Sequence, residues 1–179
     1  SASLVGSEMC IRDRDISIRE EKSFGRKNIP TGTNIMYSII NGLNKVQLPI
    51  IHVKIENKYL CFILDTGSTC SLIDSTVVEY FKDIVEPVGD YYISGIEGTK
   101  HKVDMVALPF TFEGQVYKPK FCVRPLLDTF KGIEDESGIQ VHGLLGTDFL
   151  LENKWVINFN KLIAVSYTHL RAHETSAHL

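Results

Sequence analysis

The feature that most constrains the fold is a series of short apolar runs, rich in β-branched residues and separated by turn-forming residues. The turn-like triplet Glu56-Asn57-Lys58 separates Val46 to Ile55 from Tyr59 to Leu64, a pattern that predicts a β-hairpin. We expect Pro49 to place the first strand at a sheet edge or to delay its start. Similar runs recur as far as Val165, so the sequence predicts a mainly β domain.

Further elements follow from the same pattern. Two more hairpins are predicted, one with glycines at its tip and one that turns at Glu113-Gly114-Gln115. The predicted strands are Tyr91 to Ile93, Lys102 to Leu108, Leu108 to Phe112, Val116 to Val123 and Val141 to Leu145, with a closing hairpin over Trp155 to Val165. Short helices are predicted over Thr76 to Phe81, capped by Asp74-Ser75, and over Asp148 to Glu152. The polar segment Leu127 to Gly138 is predicted to be a loop, and Ile35 to Leu43 is open between strand and helix.

The two ends of the chain lack this patterning. Residues 1–14 and 166–179 follow neither a strand nor a helix period, and both resemble translated sequencing-adapter read-through. We leave them out of the fold prediction and assign residues 46–165 to one domain, preceded by a leader or linker over residues 15–45. The tail carries His169, His173 and His178, but no acidic partner pattern accompanies them, so we expect no metal site there.

Composition argues against several classes of function. The formal net charge of −3 gives no electrostatic basis for binding nucleic acid or an anionic membrane. No apolar stretch approaches the roughly 18 residues that a membrane-spanning helix needs. The cysteines Cys10, Cys61, Cys70 and Cys122 have no C-x-x-C spacing, so we expect free thiols rather than a zinc site or a disulfide framework. The compartment stays open, with a slight preference for the cytoplasm.

One carboxylate is distinguished by its position. The apolar run Cys61-Phe62-Ile63-Leu64 predicts a buried strand, and it leads directly into Asp65-Thr66-Gly67-Ser68. A carboxylate at the end of a buried strand is unfavourable unless it is hydrogen-bonded or shares a proton. The glycine allows close approach of the backbone, and the two hydroxyl residues supply short polar groups. This setting is typical of a general acid or base; the alternative is a structural aspartate at a strand-to-turn corner.

Three segments, taken together, resemble the retropepsin-like aspartic proteases over about Val46 to Val165. Leu64-Asp65-Thr66-Gly67-Ser68, followed by Cys70-Ser71-Leu72-Ile73-Asp74, is similar to the active-site segment of that family. Leu144-Leu145-Gly146 is similar to its late hydrophobic-hydrophobic-Gly motif, and Gly95, Ile96 and Gly98 lie where the family has the tip of a flap hairpin. The resemblance implies a closed β-barrel of the acid-protease type, with a flap hairpin and one or two short helices.

The resemblance also implies a role for each matching residue. Asp65 would be the catalytic aspartate. Thr66 would bond across the two active-site loops of a dimer, Gly67 would hold the substrate backbone, and Ser68 would bond the outer oxygen of Asp65. Leu144, Leu145 and Gly146 would support the active-site loop. We expect Asp148 to cap or begin the helical turn that follows this motif.

The chain offers one aspartate where this chemistry uses two. A second candidate motif, Leu126-Leu127-Asp128-Thr129-Phe130, has Phe130 in place of the glycine, so we read Asp128 as a loop acid. The expected enzyme is therefore a homodimer that hydrolyses peptide or protein substrates with a water molecule held between two Asp65 carboxyls, without a metal or cofactor. The alternative is a non-catalytic retropepsin-like module for dimerisation or peptide binding, and an unrelated β-barrel binding protein is a remoter one.

Overall fold

The computed structural model describes residues 39–95 and 98–166. The strands in this part are β1 (Ile50–Ile55), β2 (Lys58–Leu64), β3 (Leu72–Asp74), β4 (Glu86–Ser94), β5 (Lys100–Ala107), β6 (Phe110–Phe112), β7 (Gln115–Tyr117), β8 (Lys120–Arg124), β9 (Val141–Leu145), β10 (Trp155–Asn158) and β11 (Ile163–Ser166). The helices are α1 (Ile40–Val46), α2 (Ser75–Tyr80), α3 (Lys131–Ser137) and α4 (Thr147–Glu152). The predicted mainly β fold with short helices is confirmed.

The main sheet brings the two motif-bearing strands side by side. Its nine strands follow the order β4-β5-β8-β3-β9-β2-β1-β6-β7, while β10 and β11 form a separate hairpin. The sheet curls into a half-barrel. The pairs β2–β9 and β3–β8 are parallel, and the other pairs of this sheet are antiparallel. Because the carboxyl ends of parallel strands meet at one edge, the residues after Leu64 and after Leu145 lie next to each other.

The first hairpin forms as predicted and begins late. β1 starts at Ile50, directly after Pro49, and pairs with β2 up to Ile55 opposite Lys58. Val46, which we placed at the start of this strand, ends helix α1 instead. Gln47 closes that helix in the left-handed conformation, with φ of 57°. The segment left open between strand and helix is therefore helical from Ile40 onwards, and residues 35–38 lie outside the described part.

Several other predicted boundaries are wrong; for example, β4 begins at Glu86 and not at Tyr91. The segment predicted as a loop contains α3, because Phe130 and Ile133 pack against a small apolar cluster and Gly138 ends the helix in the left-handed conformation. The predicted strand Val116 to Val123 is divided into β7 and β8. Pro119 lies at the division; it has no N–H to donate to a strand partner, and its carbonyl accepts the Leu108 N–H instead.

Two apolar clusters support the sheet. The larger cluster contains Phe62, Phe110, Phe121 and Phe149, and the rings of Phe62 and Phe121 lie 5.5 Å apart. Trp155 closes one side of it, with its ring centroid 5.1 Å from that of Phe149. The smaller cluster lies on the other face of β2 and β9 and is covered by residues of α3 and of the segment that ends α1. Both strands that precede the site are therefore buried on two faces.

A buried histidine marks a bulge between β2 and β9. Cys61 pairs with Val141 and Phe62 pairs with Gly143, so His142 is the extra residue of β9. Its side chain is 2% exposed, and its Nδ1 accepts the Cys61 N–H at 3.1 Å. Its Nε2 has no hydrogen-bond partner among the described residues. Burial lowers the pKa of His142 to about 4, although the charge of Asp74 opposes this shift.

Candidate active site

Asp65 lies at the point where β2 leaves the buried sheet. Its N–H donates to the Leu145 carbonyl at 2.9 Å, which fixes the backbone beside the end of β9. Its side chain is half-buried, and Oδ1 accepts the Gly67 N–H at 2.9 Å. A Cβ at position 67 would lie 3.2 Å from that same oxygen, so the glycine lets the loop fold closely around the carboxylate.

The rest of the loop has an exposed and an anchored part. Thr66 and Gly67 are exposed, whereas Ser68 is half-buried. The Ser68 hydroxyl donates to the Cys70 carbonyl at 2.7 Å, not to Asp65 as the family resemblance implies. The loop forms a turn in which the Ser68 N–H donates to the Asp65 carbonyl at 3.3 Å. Ser68 therefore stabilises the turn that follows Asp65.

The late glycine motif lies against this loop. Leu144 and Leu145 are buried in β9, and the Ser68 carbonyl accepts both the N–H and the hydroxyl of Thr147, at 2.9 and 3.0 Å. A Cβ at Gly146 would lie 2.7 Å from the Cys70 carbonyl oxygen and 2.9 Å from that of Ser68. Only glycine allows the two segments to approach this closely.

Ser71 and Asp148 join the two segments, and sequence analysis missed this pair. Ser71 is fully buried; its N–H and hydroxyl donate to the two carboxylate oxygens of Asp148 at 2.9 and 2.8 Å. The same hydroxyl accepts the Gly146 N–H at 3.0 Å. Asp148 also accepts the Phe149 N–H in the first turn of α4, as its predicted position suggested. In the sequence, Ser71 is distinguished only as a small polar residue at the start of an apolar run.

Asp74 anchors the other side of the loop. It caps α2 as predicted, since its Oδ1 accepts the Thr76 N–H at 2.7 Å. Its Oδ2 accepts the N–H groups of Leu126 and Leu127 at 2.6 and 2.9 Å, which hold the segment after β8. Burial raises the pKa of Asp74, but the hydrogen bond from the Thr76 hydroxyl and those from the three N–H groups outweigh it, so the pKa is lowered.

The candidate flap is the hairpin of β4 and β5. The two strands pair from Glu86 opposite Ala107 to Ser94 opposite Lys100, and β4 forms an end of the sheet. At the tip, the Gly98 N–H donates to the Gly95 carbonyl at 2.9 Å, and Gly98 has a φ of +77°. Ile96, the third predicted flap residue, lies outside the described residues.

The other acids have different settings. Asp128 is exposed in the turn before α3, where its carbonyl accepts the Lys131 N–H. Among the described residues, no carboxylate is hydrogen-bonded to Asp65. No cluster of three or more potential metal ligands occurs within this part of the chain. No helix in the same part is long and apolar enough to cross a membrane.

Comparisons with known proteins give likenesses of fold. No family model and no curated protein matches the chain. The retroviral protease-like domain of Ddi1 from Leishmania major is similar at 11% identity, over 66% of this chain and 83% of that domain, with a TM-score of 0.44.

Two viral proteases are also similar to the chain in fold. The EIAV protease, complexed with the inhibitor HBY-793, gives 20% identity over 61% of this chain and 90% of its own, with a TM-score of 0.41. The protease of Simian Foamy Virus (mac) gives 17% identity over 57% and 91%, with a TM-score of 0.39. These three solved structures are retroviral proteases or protease-like domains, and the likeness is one of fold.

Proposed function

We propose that the chain is an aspartic endopeptidase whose active site is completed by a second copy of the same chain. The position of Asp65 carries this proposal. Its carboxylate is half-exposed at the end of a buried strand, and its backbone is held by Leu145. A rigid support and access to solvent are what a general base needs in order to activate a water molecule.

The proposal of a second copy is supported by the roles of three other aspartates. Asp74 is 1% exposed, and its two oxygens accept N–H groups. Asp148 is bound through both oxygens to Ser71. Asp128 belongs to the turn that precedes α3. A two-fold axis next to Asp65 supplies the missing carboxylate with an identical residue.

The proposed mechanism uses two Asp65 side chains with one proton between them. Two carboxylates about 3 Å apart cannot both be ionised, as in aspartic proteases generally. The ionised carboxylate takes a proton from water, and the other donates a hydrogen bond to the substrate carbonyl, so that the water attacks and forms a tetrahedral intermediate. The proton then passes to the leaving amine.

In the proposal, the residues around Asp65 contact the partner chain and the substrate or hold the active-site loop. The exposed Thr66 contacts the partner's loop, and the exposed Gly67 lies under the substrate backbone. Ser68, Leu144, Leu145 and Gly146 hold the loop in position. The β4–β5 hairpin covers the bound peptide.

Cleavage of a peptide library tests the proposal. We expect Asp65→Asn to abolish cleavage without changing the unfolding midpoint, because the amide keeps the shape of the acid but cannot act as a base. Asp128→Asn is the matched control and should cleave like the wild type. An Asp65→Asn protein with wild-type activity would contradict the assignment, and a wild-type protein that cleaves nothing would favour the non-catalytic module.

A dilution series tests the shared site. We expect specific activity to fall as the protein is diluted through its dissociation constant, in parallel with the loss of dimer measured by sedimentation. Thr66→Ala should shift both curves to higher concentration. Constant specific activity in a sample that sediments as a monomer would contradict the two-chain site.

A further inference from the structure

Two cysteine thiols meet directly behind the candidate active-site loop. Cys70 lies three residues after Gly67, and Cys122 lies on β8. Strand β3, which follows the loop, pairs with β8 in parallel, with Leu72 opposite Cys122. The Cys122 N–H donates to the Ser71 carbonyl at 2.9 Å. Cys70 lies in the bend before β3 and directly precedes Ser71, so the backbone contact of Ser71 with Cys122 places the two cysteines next to each other. The two thiols are hydrogen-bonded to each other.

The two thiols differ in access and in reactivity. Cys122 is fully buried, whereas Cys70 is only partly buried and can be reached from solvent. The hydrogen bond from Cys122 lowers the pKa of Cys70 to about 7, although burial and the charge of Asp148 oppose the shift. A thiol with a pKa near the ambient pH is an effective nucleophile towards disulfides. Cys70 is therefore the attacking thiol, and Cys122 is in place to resolve the product.

We propose that Cys70 and Cys122 form a redox-active pair, which a small-molecule disulfide converts into an intrachain disulfide that displaces the active-site loop. In the first step the Cys70 thiolate attacks the small disulfide, forms a mixed disulfide and releases one thiolate. In the second step Cys122 loses its proton and attacks the Cys70 sulfur, which releases the second thiolate. The two protein protons end on the two released thiols, so the exchange balances.

Formation of the mixed disulfide on Cys70 favours the subsequent attack by Cys122. The hydrogen bond to Cys70 is the largest cause of the raised pKa of Cys122, followed by burial and by the charge of the Cys70 thiolate. Once Cys70 is held in a mixed disulfide it carries no charge. The pKa of Cys122 then falls towards its ordinary value, and its thiolate forms next to the bond that it attacks.

The disulfide would act on the site through the Cys70 backbone. A covalent bond brings two sulfur atoms closer than a hydrogen bond does, so it draws Cys70 towards β8. The Cys70 carbonyl accepts the Ser68 hydroxyl, and Gly146 packs against the same carbonyl without room for a Cβ. Movement of Cys70 therefore displaces Ser68 and the loop that carries Asp65. This effect on activity rests on the proposed function; the disulfide itself does not.

Peptide mapping tests the pair without any measurement of activity. The folded full chain is equilibrated in buffers with an increasing ratio of oxidised to reduced glutathione, its free thiols are alkylated, and the digest is analysed by mass spectrometry. We expect linked peptides that contain Cys70 and Cys122, while Cys61 is alkylated. Cys61→Ala should give the same linkage, and Cys122→Ala should retain glutathione on Cys70. Alkylation of both Cys70 and Cys122 in the most oxidising buffer, or linkage of either to another cysteine, would overturn the proposal.

The same samples test the effect on the site. We expect the oxidised wild type to lose activity by roughly tenfold to a hundredfold and to recover it on reduction, because a displacement of about 1 Å in a catalytic loop has effects of this size. Full activity in a sample whose disulfide has been verified would overturn the displacement of the loop. Absence of activity in the reduced protein would instead refute the proposed peptidase, and the peptide map would still decide whether the pair exists.

Discussion

His142 should make the domain lose stability between neutral and mildly acidic pH. Burial disfavours the charged form of the ring in the folded protein, and its Nδ1 accepts the Cys61 N–H, which a protonated ring could not do. The unfolded chain has no such restriction and binds the proton more readily. Two further groups act on the ring: Asp74 raises its pKa and His52 lowers it. We therefore vary the pH and compare the wild type with His142→Asn. The amide oxygen of the asparagine can still accept the Cys61 N–H, but the side chain does not titrate.

The expected loss follows from the difference in pKa between the two states. The pKa of His142 is about 4 in the folded protein and 6.5 for an ordinary histidine. Because the folded-state value is lowered, the stabilisation is complete above the ordinary value, declines as the pH falls from 6.5 to about 4, and does not decline further below that. A difference of about two and a half pKa units corresponds to about 3 kcal/mol in the free energy of unfolding.

Urea unfolding at a series of pH values measures this loss. The single tryptophan, Trp155, packs against Phe149 and reports the integrity of the main core. We expect the wild type to lose about 3 kcal/mol between about pH 7 and pH 4, and His142→Asn to lose much less. The exposed His101 gives the matched control, since His101→Asn should follow the wild type. An equal loss in wild type and His142→Asn would refute this reasoning.

Three further substitutions test the packing around the site, with the same unfolding measurement. Gly143→Ala should destabilise the domain by about 3 kcal/mol, because the new Cβ would lie 2.3 Å from the Leu72 carbonyl oxygen. Its control is Gly132→Ala, which has open space around it and should leave the stability unchanged or raise it by up to about 1 kcal/mol. Asp74→Asn should lose about 2–3 kcal/mol, because an amide group would face N–H donors. The difference from wild type should shrink as the pH falls below 3.8, the ordinary pKa of an aspartate, because the folded-state pKa of Asp74 is lowered. Ser71→Ala should lose about 1–3 kcal/mol and reduce cleavage, since the Gly146 N–H loses its acceptor. A neutral result for any of the three destabilising changes would contradict the corresponding contact.

The sequence predicts the elements that carry the site better than the contacts between them. Asp65 and Gly146 each follow a short apolar run, and such runs indicate buried strands from composition alone. That these two strands pair in parallel does not follow from periodicity, because a strand pattern does not specify its partner. The bond between Ser71 and Asp148 joins residues 77 positions apart, so no local signal describes it.

Two features that the sequence does not reveal depend on tertiary contacts. α3 has mostly polar residues, and its apolar contribution to the smaller cluster comes from Phe130 and Ile133, too few to show a helical period. His142 reads as one polar residue in an apolar strand, whereas the structure places it at a bulge with its ring buried. In both cases a tertiary contact, rather than intrinsic propensity, determines the outcome.

The place of β9 in the sheet has a consequence for how the chain folds. β9 lies between β2 and β3, although it follows both by a long stretch of sequence. Contacts of such large sequence separation form slowly, because the intervening chain must lose its freedom before the pairing stabilises it. The central position of the sheet therefore stays vacant until Val141–Leu145 is available. A nascent chain that has already exposed the whole Asp65-Thr66-Gly67 segment still lacks the strand that holds it, so the candidate site is assembled at the end of folding.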